Sequence, residues 1–258
     1  EIETTLQRLG IECDYQHTGE VDVATEPYML DEFKRIIELA KPYNIEFQYL
    51  DREEIHRIVN SPIFIGGIKR LESSIVNPAQ LAWGLRKACL NLGVRLHENT
   101  PVTKLVEENH KVIAHTPHAK VRANKVALAT NAFPPLLKQI SNYVVPVYDY
   151  ALMTEPLTPA QRESIGWRGR EGLSDANNQF HYFRTTFDGR ILWGGYDAIY
   201  HWNNGFGTHL ENRPASFALL AEHFFQAFPQ LTGVHFTHAW GGAIDTCSRF
   251  SPFWGAAH

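Results

Sequence analysis

The sequence predicts an α+β fold: a large mixed, mainly antiparallel sheet backed by helices, intertwined with a smaller segment of nucleotide-domain texture. Two observations predict it. Residues 77–131 read as a helix, a strand, an antiparallel excursion and a return strand, a layout typical of nucleotide domains. On either side lie strand candidates at 13–24, 45–50, 143–153, 180–195 and 234–241, several of them paired as hairpins. No fixed-period repeat and no low-complexity tract points elsewhere.

Taken in order, residues 1–12 look like a helix end, with apolar Ile2, Leu6 and Leu9 and a stop at Gly10. Residues 13–17 and 20–24 flank Thr18-Gly19 and read as a short hairpin. Residues 28–41 are amphipathic, with Met29, Phe33, Ile36, Ile37 and Ala40 on one face and Pro42 as the stop. A strand at 45–50 leads to Asp51, which caps a brief helix with capping-box spacing to Glu54. The run Ile63-Phe64-Ile65-Gly66-Gly67-Ile68 is apolar but broken by two glycines. In the nucleotide-like segment, Asn77-Pro78 opens a helix through Leu81, Leu85, Ala88 and Leu92, and Gly93 ends it. Residues 94–97 look like a strand, 102–106 and 111–115 alternate like an antiparallel pair, and 126–132 read as a buried strand. Residues 143–153 form a central-strand candidate, and Thr158-Pro159 starts a short helix. Asp188-Gly189 between 180–186 and 190–195 is a strong hairpin signal. Residues 213–228 form a helix with Phe217, Leu220, Ala221, Phe224, Phe225 and Phe228 inward, and 234–241 a last strand.

Composition excludes several functions. A net charge of −4 with no Lys/Arg run disfavours nucleic acid. No stretch reaches the length of a membrane span, and the N-terminus lacks signal-peptide character. The three cysteines, Cys13, Cys89 and Cys247, are far apart and odd in number, so a reducing compartment, the cytoplasm, is expected. The thirteen histidines are scattered and no metal site is expected. There is no Gly-x-Ser-x-Gly elbow and no Gly-rich phosphate loop.

Two clusters carry candidate chemistry. A strand ending in Trp240-Gly241-Gly242 permits close approach of backbone to a flat ligand; the same run could be a bulge beside a core Trp. Tyr148, Tyr150, His181, Tyr182 and Arg184 alternate on two strands; Tyr148, Tyr150 and their neighbours Val145 and Val147 cannot all face one side, so some of them are core. An Arg among aromatics suits a carboxylate or other anion, or else a salt bridge at a sheet rim.

Several runs, in order, carry a family likeness: Asn77-Pro78-Ala79-Gln80-Leu81 with Gly84, Leu85, Ala88 and Gly93-Val94; His97-Glu98-Asn99-Thr100-Pro101-Val102; and Ala129-Thr130-Asn131-Ala132. They continue with Pro146 and Tyr150 to Leu157, Tyr182-Phe183-Arg184, Asp188 to Gly195, Phe228-Pro229, Trp240-Gly241-Gly242, Pro252 and Gly255. Together they resemble the FAD-dependent D-amino acid oxidase / glycine oxidase superfamily. The likeness is strongest to its bacterial amine-oxidising branch, the gamma-glutamylputrescine oxidoreductase type.

The resemblance implies a substrate domain intertwined with a partial FAD-binding domain of the GR2 type. It divides the chain into substrate-domain segments at 1–72 and 143–240, a partial FAD-binding segment at 73–142, and the start of a return at 241–258. It implies FAD contacts near Pro101, Val102, Ala129, Thr130 and Asn131, and isoalloxazine contacts near Gly66, Gly67, Gly241 and Gly242. Tyr150, Tyr182, Arg184 and Trp240 become substrate-binding candidates, with no certain catalytic side chain. The implied reaction is oxidation of a C–N bond in an amine or amino acid by hydride transfer to flavin, with dioxygen or another acceptor reoxidising it. The family's N-terminal Gly-rich strand–loop–helix and its C-terminal flavin-covering segment are not in the sequence, which also lacks an initiator Met. A fragment of a longer enzyme, inactive by itself, is therefore expected. The alternatives are a non-catalytic binding module of the same fold and a quinone-linked dehydrogenase.

Overall fold

The computed structural model describes residues 1–247, 251, 252, 254 and 255. Its central feature is a nine-stranded sheet built on one long strand, β7 (Val145–Thr154). On one edge β7 pairs antiparallel with β12 (Phe236–Thr246) along its whole length. On the other it pairs with β10 (Ile191–Gly195) and β11 (Ile199–Tyr200). The sheet continues through β9 (His181–Thr185), β8 (Gly172–Asp175), β1 (Glu20–Ala24), β3 (Gly66–Arg70) and β2 (Phe47–Leu50). Only the β1–β8 contact is parallel, so the sheet is mixed but mainly antiparallel, as the sequence predicts.

Strand alternation divides the side chains. Tyr148, Tyr150 and Leu152 of β7, Phe183 of β9, and Ile191 and Trp193 of β10 are buried beneath α6 (Pro214–Ala227). There Leu220, Phe224 and Phe228 interlock with Trp193 and Phe183 edge to face. The apolar residues recur on α6 at helical spacing, which is why this helix covers this face. At the far end, α3 (Arg52–Ile58) backs the same face through Ile55, with its N-terminus closed by the reciprocal Asp51–Glu54 capping box. Helix α5 (Pro159–Ile165) starts at the Thr158–Gln161 capping box and buries Ile165. On the opposite face α2 (Pro27–Ala40) covers only one end, packing Met29 and Phe33 against Ala24 and Ile68. The rest of that face, under β7–β10 and β12, has no helix over it among the described residues.

The smaller part comprises α1 (Ile2–Leu9), α4 (Pro78–Asn91) and a three-stranded sheet of β4 (Lys104–Glu108), β5 (Lys111–His115) and β6 (Lys120–Ala123). Leu6, Ile11 and Cys13 form its core with Val76 and Leu81.

Three expectations are corrected here. Residues 13–17 make only an isolated bridge, Gln16 to Ile75, and β1 pairs with β3 and β8, so Thr18-Gly19 is not a hairpin turn. Residues 94–97 and 126–132 are not strands: no described neighbour offers them a hydrogen-bonding edge. The last strand runs on through Trp240-Gly241-Gly242 to Thr246, and its irregularity falls earlier, between Phe236 and His238.

Candidate active site

The open face of the large sheet gathers side chains from four central strands. Registers place Trp240 opposite Ala151 and Gly242 opposite Asp149, while Gly194 pairs with both Ala151 and Tyr182. Asp149, Ala151, Met153, Tyr182, Arg184, Leu192, Trp240 and Gly242 therefore point to one side. At the next strand over, Ser174 stands beside Tyr182 and donates to Asp22, whose carboxyl burial pushes upward.

The centre of this face is a tyrosine–carboxylate pair. The Tyr182 hydroxyl donates to Asp149 Oδ2 at 2.6 Å. Its ring lies directly across Gly194, where a Cβ would come within 2.6 Å of it. Burial pushes the Asp149 carboxyl above the ordinary range, a rise held back by Tyr182 and by the backbone N–H groups of Tyr150 and Gly195. Burial and the adjoining carboxylate push the Tyr182 phenol upward as well, so it stays a donor at neutral pH.

Trp240 is 40% exposed beside this pair. Gly242 leaves a gap: a Cβ there would meet no atom within 4 Å. Arg184 is less free. Its Nη1 donates to the carbonyl of Val76, in the loop that enters α4, and it lies near Asp14, which Arg170 grips with both nitrogens. It thus ties the sheet to the smaller part.

The remaining expected residues fall elsewhere. Tyr150 is 1% exposed, packs against Phe217 of α6 and donates to the Leu210 carbonyl at 2.9 Å, so it is a core residue on the helix-backed side. Gly241 shares that side: a Cβ would come within 2.6 Å of the Tyr150 ring. Gly66 is on the open face's side of the sheet but lies at the end that α2 covers, under Leu30, whereas Gly67 faces Val21 and Ile55 on the other side. Pro101, Val102, Ala129 and Asn131 are exposed and lie outside any strand, with Thr130 between them half-buried. The adjoining Ala132 is buried, and Phe133 packs on Phe206 at 4.8 Å.

Sequence reasoning missed Asp149. The available signal was a lone carboxylate in a ten-residue, otherwise uncharged strand, where burial demands a partner. It also gave no role to His181, which sits on the helix-backed side with Nδ1 2.6 Å from Asp175 and Nε2 3.0 Å from His223.

The sequence matches the family model described as DAO, FAD dependent oxidoreductase, over residues 1–258. The chain belongs to this family. Among its relatives, a probable oxidoreductase OrdL of Haemophilus influenzae is 28% identical over 98% of this chain and 57% of that protein. The gamma-glutamylputrescine oxidoreductase of Escherichia coli K12 is 26% identical over 98% of this chain and 57% of that protein. The chain thus spans a little over half the length of these curated relatives. Among solved structures, glycine oxidase from Geobacillus kaustophilus superposes with a TM-score of 0.80 at 17% identity, covering 99% of this chain and 66% of that one. L-proline dehydrogenase from P. horikoshii gives 0.82 at 18%, covering 99% and 67%. These neighbours share the fold of the DAO-family flavoenzymes.

FAD is the cofactor of this family. The Gly242 gap beside half-exposed Trp240 leaves room for a flat ring against the open face. The helix that opens the smaller part's 77–131 segment leaves the pyrophosphate no open N-terminus. The N-terminus of α4 is already closed by Asn77, whose Oδ1 accepts from the N–H groups of Ala79 and Gln80 at 3.1 Å each. The described helices are none of them long and apolar enough to cross a membrane.

Proposed function

We propose that this DAO-family protein oxidises the C–N bond of an amine or amino acid held on the open face of its large sheet. The observation that carries the reading is the Tyr182–Asp149 pair, set in a mostly apolar surface beside the Gly242 gap. FAD, when bound, supplies the two-electron acceptor that takes a hydride from the carbon next to nitrogen. The chain's own residues do the rest. Trp240, Met153 and Leu192 wall the surface and keep water from the reacting carbon. Tyr182 and Asp149 orient the polar end of the substrate. The imine then leaves the dry face and is hydrolysed. The reacting nitrogen must be neutral to release hydride, so its ammonium form gives up a proton to water before the transfer; because hydride and not a proton leaves the carbon, no strong side-chain base is required there.

On this reading 1–72 and 143–240 build the substrate domain, 73–142 contribute to FAD binding, and 241–258 begin the return toward it. Gly242 and Trp240 border the ring, and Ala129, Thr130, Asn131, Pro101 and Val102 face the rest of the cofactor. The protein works in the cytoplasm, in keeping with free Cys13 and Cys89.

The test is the whole protein, purified and assayed on a panel of amines and amino acids. Visible flavin absorbance, substrate-dependent bleaching without oxygen, and peroxide on aeration are expected. Bleaching without peroxide, with dye reduction intact, replaces dioxygen by another acceptor. A colourless protein that takes up no added FAD overturns the reading in favour of a binding module.

A further inference from the structure

A buried polar chain joins the sheet to α6 on the helix-backed side. Asp175 ends β8, His181 begins β9 and His223 stands on α6. His181 Nδ1 lies 2.6 Å from Asp175 Oδ2, and its Nε2 lies 3.0 Å from His223 Nδ1. Asp175 and His181 are each 7% exposed, so neither has water as an alternative partner. The Asp175 oxygens also accept from the backbone N–H groups of His181 and Asn177 and from the Asn177 side-chain amide. The carboxyl is thereby fixed as the accepting end of the chain. The His181 ring stacks on Trp193 at 4.8 Å and on Tyr196 at 5.3 Å, and the His223 ring meets Tyr196 edge-on at 4.4 Å.

Counting protons shows what this chain tolerates. With both imidazoles neutral, His181 donates to Asp175 and His223 donates to His181. One extra proton is accommodated at His223 Nε2, or by shifting protons along the chain, with both hydrogen bonds kept. A second extra proton puts an N–H on each side of the gap between the rings, where two donors and two positive charges repel. The charged groups around His223 are Glu222 on its own helix, Asp175 on β8 and Asp197 after β10, the last paired with Arg213 at 2.9 Å. Burial, and after it the neighbouring His181, push the His223 imidazole below its ordinary value in spite of these carboxyls.

We propose that Asp175, His181 and His223 form a latch that holds α6 on the sheet while the two rings carry at most one extra proton, and that opens in mild acid when both are protonated. His181 is fixed by its strand, its stacking and Asp175, so His223 and the C-terminal half of α6 move. An imidazole depressed in the closed state gains its proton more readily once the helix lifts. Acid therefore favours the lifted state, starting below the free-imidazole value of about 6.5 and not above it. The residue after His181 is Tyr182, on the opposite face, so opening also loosens the strand that seats the tyrosine–carboxylate pair. The latch is independent of the reaction on the open face.

The experiment is amide hydrogen exchange of the whole protein at about pH 7.5 and about pH 5.5, either side of the ordinary imidazole value, with rates corrected for their intrinsic pH dependence. The opening constant at residues 222–227 and at His181 and Tyr182 is expected to rise by up to about tenfold per pH unit, the slope of one linked proton. Helix α2, which contains no histidine, should keep its protection. His223→Asn leaves a neutral amide near the Nδ1 position that can donate to or accept from His181 but takes no proton, and it should abolish the acid response. Histidine-ring NMR on the wild type gives a second readout that needs no variant: the second proton should enter the pair only as residues 222–227 lose protection. Protection that is unchanged between the two pH values overturns the latch. So does an acid response kept in full by His223→Asn, or two protonated rings beneath a helix that stays protected.

Discussion

Tyr182 and Asp149 meet at 2.6 Å across strand β10, and they can do so because the residue between them is Gly194. The tyrosine ring occupies the space that any other side chain at 194 would claim. Gly194→Ala should therefore push the ring off its seat and break the hydrogen bond. The expected loss is about 1–3 kcal/mol, the usual cost of overpacking a filled site. Chemical denaturation measures it, and Tyr182 fluorescence or NMR should report the displaced ring. An alanine variant as stable as wild type, with the ring unmoved, would contradict the account.

A second prediction concerns pH. Arg170 donates to both Asp14 oxygens and holds that carboxyl below its usual range. The folded value is lower than the unfolded one, which lies near about 3.9. The pair therefore contributes its full stability above that unfolded value and loses it as pH falls through the depressed folded one. Asp14→Asn should cost about 1.5–3 kcal/mol at neutral pH, as expected for a hydrogen-bonded charged group. The difference from wild type should narrow below about pH 4, as the carboxyl of the unfolded chain protonates, and close once pH falls below the depressed folded value. Urea titrations across that range decide it; a gap that does not narrow on acidification counts against the pair.

The large sheet was legible in the sequence because its strands carry their own signals. Asp188-Gly189 marks the β9–β10 turn, the aromatic run at 143–153 marks the strand that three others pair with, and the phenylalanines of α6 mark the face it covers. The smaller part was less legible. Residues 94–97 and 126–132 have strand-like composition, but a strand exists only where a neighbour supplies hydrogen bonds, and none is described there. At the site, alternation alone showed that Tyr148, Tyr150 and their neighbours Val145 and Val147 could not all share a face. Which of them belonged to the core depended on the side that α6 covers, a long-range fact. Asp149 escaped notice because its role comes from the β7–β9 proximity, which no local pattern encodes.

Tyr150 separates core from site directly. Its hydroxyl serves the Leu210 carbonyl and its ring packs on Phe217. Tyr150→Phe should cost about 0.5–1.5 kcal/mol, the net value of one neutral hydrogen bond. Amine binding should be unchanged in the same protein, because the hydroxyl points away from the open face. A weakened substrate affinity without loss of stability would return Tyr150 to the site.

Arg184 offers the sharpest contrast between two roles. As a tie between the sheet and the loop before α4, its loss should loosen that loop, since the Val76 carbonyl loses its donor. Arg184→Met keeps most of the aliphatic stem and removes only the charge and the donors. Amide exchange should then accelerate at Gln16 and Ile75, which bridge each other beside the loop, with a stability loss of about 1.5–3 kcal/mol. If Arg184 instead grips a substrate carboxylate, the same variant should raise KM for amino acids and leave exchange at Gln16 and Ile75 as it was. The geometry favours the first outcome: the guanidinium already donates to a protein carbonyl, and Asp14 stands close enough to share its charge.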